Sequence, residues 1–178
     1  MTYAAWGLHG WPGMWLCNST RPTSDKVREA LFSILGPVEG MRVLDLFAGS
    51  GALGIEALSR GAASATFVDD DRRAADAIRD NLEAIDTPAE VVVRDAVAWL
   101  RAAPSGTAFE LVLVDPPYDS ADRLAASLSG ALPGVLAADG LIVSESDRRK
   151  PLILDFPLAD ERIYGDTRIA IHHARRDQ

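Results

Sequence analysis

Residues 43–47 run straight into Ala48-Gly49-Ser50-Gly51-Ala52-Leu53-Gly54, and no other stretch restricts the possible folds as much. A short apolar β-type run hands over, through closely spaced glycines, to a helix-forming segment at 52–59 that Gly61 closes. Glycine lets the backbone turn tightly and lets a ligand come within contact distance of it. The same strand-then-helix rhythm repeats downstream. Residues 65–68 read as a second strand and 72–84 as a second helix, followed by a strand at 90–93 and a helix at 96–102. The run 111–114 is nearly all apolar, the pattern of a central parallel strand covered on both faces. A helix over 121–132, a strand at 141–144 and a last strand within 163–172, antiparallel at the sheet edge, complete the series. Upstream, Val27, Leu31, Ile34 and Leu35 recur at helical spacing, with Thr23 or Ser24 as cap and Gly36-Pro37 as stop. Alternating strands and helices predict an α/β fold around a mostly parallel, doubly wound sheet.

A chain of 178 residues is long enough for one domain with a sizeable core, and its 48% hydrophobic and 25% charged residues are ordinary for such a domain. No apolar run approaches the ~18 residues of a membrane span. The single cysteine, Cys17, leaves no disulfide framework or cysteine-built zinc site and suits the reducing cytoplasm. Net charge is −8, which disfavours a non-specific nucleic-acid coat protein but not an enzyme that meets RNA through one local patch. Residues 1–20 stand apart as an arm with Trp6, Trp11 and Trp15, no Lys or Arg, and neither strand nor helix period. They lack the charged start of a signal peptide, and read as an irregular arm or, alternatively, an aromatic binding arm. Residues 21–178 are expected to form the domain.

Gly49, Gly51 and Gly54 also satisfy G-x-G-x-x-G, and Asp69 lies 20 residues past Gly49, where the second strand ends. A carboxylate there can hold the hydroxyls of a ribose. Asp45 narrows the choice of nucleoside ligand. A dinucleotide would set its anionic pyrophosphate against this turn, where a buried carboxylate repels it. S-adenosylmethionine carries an ammonium and a sulfonium and no phosphate, so it suits Asp45, with its ribose at Asp69. Asp45 has a plainer alternative role, tying down the amides of the turn. Asp95 has two equal readings, an acceptor for the adenine amino group or the N-cap of the next helix. Ser50, Asp70 and Ala96 adjoin these positions and count with the candidate cofactor contacts.

Asp115-Pro116-Pro117-Tyr118 follows the apolar fourth strand, at the carboxyl edge of the sheet, where α/β folds bind ligands. Two prolines can simply stop a strand. They also fix φ and stiffen the backbone, which would hold the Asp115 carboxylate and the Pro116 carbonyl as two converging acceptors. The amino group of a nucleobase has two N–H donors to give them. Its lone pair is delocalised into the ring, so the nitrogen is a poor nucleophile. Acceptors that draw it toward tetrahedral geometry turn the lone pair toward a methyl sulfonium. Tyr118 would stack on the base, a contact worth ~1–3 kcal/mol that helps offset the cost of flipping the base out. In-line alignment of two bound groups does much of the rest.

FAGSG at 47–51 with DPPY at 115–118 resembles the class I amino-methyltransferases of nucleic acids. RPTSDKVREALF at 21–32, LDLFAGSGALGIEALSRGA at 44–62 and YGDTRIAI at 164–171 together resemble the RsmD-type family. The resemblance implies a Rossmann-like methyltransferase fold with an antiparallel last strand, S-adenosylmethionine as cofactor, and methylation of a guanine N2 in 16S rRNA. It carries cofactor contacts to Asp45, Phe47, Gly49, Gly51, Asp69 and Asp95, and the catalytic tetrad to Asp115, Pro116, Pro117 and Tyr118. The Arg21-Pro22-Thr23 turn carries over as a segment near cofactor and RNA. The implied substrate is 16S rRNA within a 30S particle or assembly intermediate, met by a monomer in the cytoplasm. Members of the family usually open with a short basic, glycine-rich β segment, and residues 1–20 depart from that.

Arg21, Thr23 and Lys26 are the candidate RNA contacts, with Arg28 beside them. Arg148-Arg149-Lys150 and Arg175-Arg176 are short basic clusters that either meet phosphates or are solvated surface. His172 and His173 are strand neighbours facing opposite sides, so they cannot chelate as a pair, and no metal site is expected. Three other readings stay open. One is an amino-methyltransferase acting on adenine N6 or a glutamine amide. Another is an NAD-dependent oxidoreductase, for which no catalytic His or Tyr–Lys pair is evident. The third is a module that binds the cofactor without turnover.

Overall fold

A computed structural model describes residues 25–104, 106–117 and 121–174. The chain opens with α1 (Asp25–Leu35), whose Val27, Leu31 and Phe32 form a buried stripe and which stops at Gly36 with φ +76°. Then follow β1 (Arg42–Leu46), α2 (Ala52–Ser59), β2 (Ser64–Asp69), α3 (Arg72–Ala84), β3 (Glu90–Val93), α4 (Ala96–Ala102) and β4 (Phe109–Val114). The last part holds α5 (Ala121–Ala131), β5 (Leu136–Asp147), β6 (Leu158–Tyr164) and β7 (Thr167–His173). No described helix is long and apolar enough to cross a membrane.

All seven strands join one sheet in the order β3-β2-β1-β4-β5-β7-β6. The first five of that order run parallel, and β7 and β6 are antiparallel to their neighbours. From β1 the chain first builds outward through β2 and β3, then returns to place β4 on the other side of β1. That reversal opens a crevice beyond the carboxyl ends of β1 and β4, the place where open α/β sheets bind ligands.

Strand alternation feeds two cores, one on each face. Val43 of β1 with Leu111 and Leu113 of β4 packs against Leu31, Phe32, Ile55 and Ile78 from α1, α2 and α3. Leu44 and Leu46 with Val112 and Val114 pack the other way, against Val97 and Leu100 of α4 and Leu128 of α5. The central strands are therefore apolar on both faces, as their sequence pattern indicates.

The last strand is antiparallel as expected, but its place at the sheet edge needs correction. Residues 158–173 form a hairpin that turns at Gly165 (φ +62°), and β7 lies inside the sheet between β5 and β6, so β6 is the edge. β6, Leu158-Ala-Asp-Glu-Arg-Ile-Tyr164, is mostly exposed and shows no period of two, so its strand identity comes from pairing with β7 rather than from local pattern. β5 also reaches further than 141–144. Its start pairs Phe109 with Leu136 before the register shifts to Leu111 with Leu141, and the polar residues at the shift break the apolar run.

Candidate functional site

The glycine-rich turn links β1 to α2 and is tied down by its own backbone, by β2, by two carboxylates and by the amide of Asn81. Phe47 adopts φ +60°, a left-handed conformation that a bulky side chain rarely takes, followed by Gly49 at +55° and Gly51 at +77°. The Ala48 N–H donates to the Val68 carbonyl (3.2 Å) and the Gly51 N–H to the Ala48 carbonyl (2.7 Å). The Gly49 N–H donates to Asp69 Oδ2 at 2.8 Å, and the Gly54 N–H to Asp45 Oδ2 at 2.9 Å. Two of these amides are taken by carboxylates, so a pyrophosphate brought to the turn would meet acceptor oxygens beside it. The turn therefore does not suit the dinucleotide that G-x-G-x-x-G alone allows. It suits a ligand that brings positive charge.

Asp45 sits one strand step inside the turn, buried at 2% exposure. Burial pushes its carboxyl up to about 8, against the Gly54 hydrogen bond that lowers it and with a smaller upward push from the charge of Asp69. The plainer role for Asp45, holding an amide of the turn, is thus observed, and its second oxygen remains for other work. Asp69, half-buried at the end of β2, also accepts from the Asp71 N–H through Oδ1 at 2.9 Å. Asp71 in turn caps α3 through the Arg73 N–H. Buried Asn81 of α3 reaches across and donates from Nδ2 to the Ser50 carbonyl at 3.1 Å. That residue escaped the sequence reading. An amide in the interior of a helix, on its core-facing side, is the signal that could have found it.

Asp115 leaves the end of β4 in the same crevice. Its carboxyl is raised well above the usual carboxylate range, first by burial, then by the charge of Glu145, then by that of Asp45. Pro116 behind it is buried. Glu145 itself is 4% exposed, on β5 next to the end of β4, and the sequence reading passed it over. The polar Ser144-Glu145-Ser146 that closes an otherwise apolar parallel strand was its signal.

The remaining candidates divide. Ser50 and Ala96 are buried beside the turn and at the first position of α4, while Asp70 is exposed. Asp95 caps α4, accepting from the Ala98 N–H at 2.7 Å, so the capping reading holds at that position. Lys26 is exposed on the first turn of α1. Arg28 is not available to a phosphate: it is 6% exposed and pairs at 3.6 Å with buried Glu56, which also holds Arg60 at 2.6 Å. Arg148 and Arg149 are exposed and lie 3.3 and 3.8 Å from Asp166. His172 is buried and His173 exposed, as opposite faces require. Tyr118, Arg21, Thr23, Arg175-Arg176 and the 1–20 arm lie outside the described residues.

A family model described as "Conserved hypothetical protein 95" matches residues 14–173. YlbH of Bacillus subtilis, named as a candidate rRNA methyltransferase, is 42% identical over 164 residues, covering 88% of this chain and 89% of that protein. Ribosomal RNA small subunit methyltransferase D of Haemophilus influenzae is 37% identical over 139 residues, covering 75% of this chain and 71% of its own. Among solved structures, an Escherichia coli protein named as a candidate methyltransferase, yhhF, superposes with a TM-score of 0.78 at 34% identity, covering 92% of both chains.

Proposed function

Because this chain belongs to the RsmD family of methyltransferases, we propose that it transfers a methyl group from S-adenosylmethionine to the exocyclic N2 amine of a guanine in 16S rRNA. One observation carries the reading. At the β1/β4 switch point, a turn with two of its amides bound to the carboxylates of Asp45 and Asp69 lies beside the Asp115-Pro116-Pro117 exit of β4. The first half fits a cationic nucleoside, and the second fits an amine that must be held by two acceptors.

Bound there, S-adenosylmethionine supplies a methyl group on positively charged sulfur, and its transfer to the amine leaves S-adenosylhomocysteine and one proton. Asp45 provides the negative charge for the ammonium, Asp69 the acceptors for the ribose, and Asp95 an oxygen for the adenine amino group. Phe47, Gly49, Ser50, Gly51, Asp70 and Ala96 line the same crevice. Asp115 and the Pro116 carbonyl take the two N–H groups of the guanine amine. Each such bond to a charged group is worth ~1.5–3 kcal/mol, and it accelerates the reaction only as far as it strengthens in the transition state. The raised carboxyl of Asp115 is also suited to receive the proton that the amine sheds. Tyr118 stacks on the base. Arg21, Thr23 and Lys26 meet the RNA, which is presented in a 30S particle or assembly intermediate to a cytoplasmic monomer.

The test is tritium transfer from labelled S-adenosylmethionine to 30S particles that lack native guanine-N2 methylation. Digestion should place the label on N2-methylguanosine, and Asp115→Ala should abolish it while still binding cofactor. Label on N6-methyladenosine, or none with either protein, would overturn the reading.

A further inference from the structure

The two acceptors supplied by Asp115 and Pro116 grip an exocyclic amine, and they would grip adenine N6 as readily as guanine N2. Something else must distinguish the bases. On guanine the ring nitrogen beside the amine is N1–H, a donor. On adenine the corresponding N1 is a bare acceptor, as it is on 2,6-diaminopurine, which still carries an N2 amine. A fixed carboxylate next to Asp115 would accept from the first and repel the other two.

The sheet puts one there. β4 and β5 are parallel and in register through Leu113 with Val143 and Val114 with Ser144, so the next step sets Asp115 beside Glu145. Alternation assigns both to one face: Leu113 and Val143 share the core under α1, α2 and α3, and Ile169, the β7 partner of Glu145, lies in it too. Ser144 and Ser146 point to the opposite face. Glu145 is 4% exposed, so its carboxyl lies within the fold on the face that strand alternation gives to Asp115. Its charge raises the Asp115 carboxyl more than that of Asp45 does, in keeping with close approach. The helix over this face, α1, carries exposed Lys26 on its first turn.

We propose that Glu145 is a specificity-determining residue that accepts the guanine N1–H while Asp115 and Pro116 hold the N2 amine. The proposal rests on the guanine-N2 reading above, and the two can fail separately. The substrates are 30S particles reconstituted with ligated 16S rRNA that carries guanosine or 2,6-diaminopurine riboside at the nucleotide labelled in the assay above, both with a methylatable N2 amine. The wild-type protein should prefer guanosine by roughly 10- to 100-fold in kcat/KM, the worth of one hydrogen bond to a charged group. Glu145→Gln, whose amide donates as well as accepts, should lose most of the guanosine rate and bring the ratio toward one, with cofactor affinity unchanged. Glu145→Asp should be slower but keep the preference. A wild-type protein that methylates both bases alike overturns the proposal without any variant, as does a folded Glu145→Gln with the wild-type ratio. If the wild-type protein makes no N2-methylguanosine on 30S particles, the function reading fails first and takes this one with it.

Discussion

Gly54 offers a sign test of how the turn is packed. It lies inside α2, where replacing glycine by alanine ordinarily stabilises a helix by ~0.5–1 kcal/mol. A Cβ at Gly54 would sit 2.3 Å from Phe67 Cε1, 2.8 Å from its Cζ and 3.0 Å from Asp45 Oδ2. Phe67 is fully buried in the core beneath α2 and cannot swing aside into solvent. Forcing a methyl into such a site costs ~1–3 kcal/mol, and contacts this short argue for the upper end. The net effect of Gly54→Ala is thus a loss of about 1–2 kcal/mol, or roughly 2–8 °C in Tm for a chain of this size. Gly130 is the control. It also lies in a helix, α5, but a Cβ there meets nothing within 4 Å, so Gly130→Ala should raise Tm by ~1–4 °C. Thermal melts of both variants by circular dichroism decide the matter. If Gly54→Ala stabilises as Gly130→Ala does, α2 does not press on β2 as described. Displacing Asp45 Oδ2 should also weaken S-adenosylmethionine binding in Gly54→Ala alone.

Asp45→Asn keeps the Gly54 hydrogen bond but removes a buried ionisable group. The unfolded carboxyl ionises near pH ~4 and the folded one only at about 8, so wild-type stability falls as pH rises between them, by up to ~1.4 kcal/mol per pH unit. Denaturant titrations of the variant should show a shallower slope, since the raised Asp115 carboxyl contributes in both proteins, and parallel curves for the two would refute it. Cofactor binding near pH 7 should drive Asp45 to ionise and release about one proton, read as a buffer-dependent heat in calorimetry. Asp115 must also be ionised to accept from the amine, so the acid limb of kcat/KM should lie well above the ordinary carboxylate range and vanish in Asp115→Asn. Asn81→Ala strands the buried Ser50 carbonyl, which should cost ~1–3 kcal/mol and loosen the cofactor site; an unchanged melt would mean that Asn81 does not brace the turn.

The local vocabulary of this protein is written along the chain. The period of α1, the glycines that stop α1 and α2, the β1–turn–α2 junction and the proline pair after β4 each depend on a few consecutive residues, and each stands where the pattern indicates. Asp45, Asp69 and Asp115 were legible because each ends or nearly ends a parallel strand, and such ends gather at one edge of the sheet. What depends on partners far along the chain was not legible. β6 carries no alternation and is a strand because β7 pairs with it, which moves β7 off the edge. Arg28 looks like any helix cation, and only the packing of α1 on α2 sets it against Glu56. Glu145 sits in a short polar run, and strand register alone brings it beside Asp115, 30 positions earlier. Backbone preference and hydrophobic period act over a turn or a strand and are printed in the order of residues. Register, burial and the electrostatic push of one carboxylate on another arise only when distant segments meet, and those decide the charge state and chemistry of the crevice.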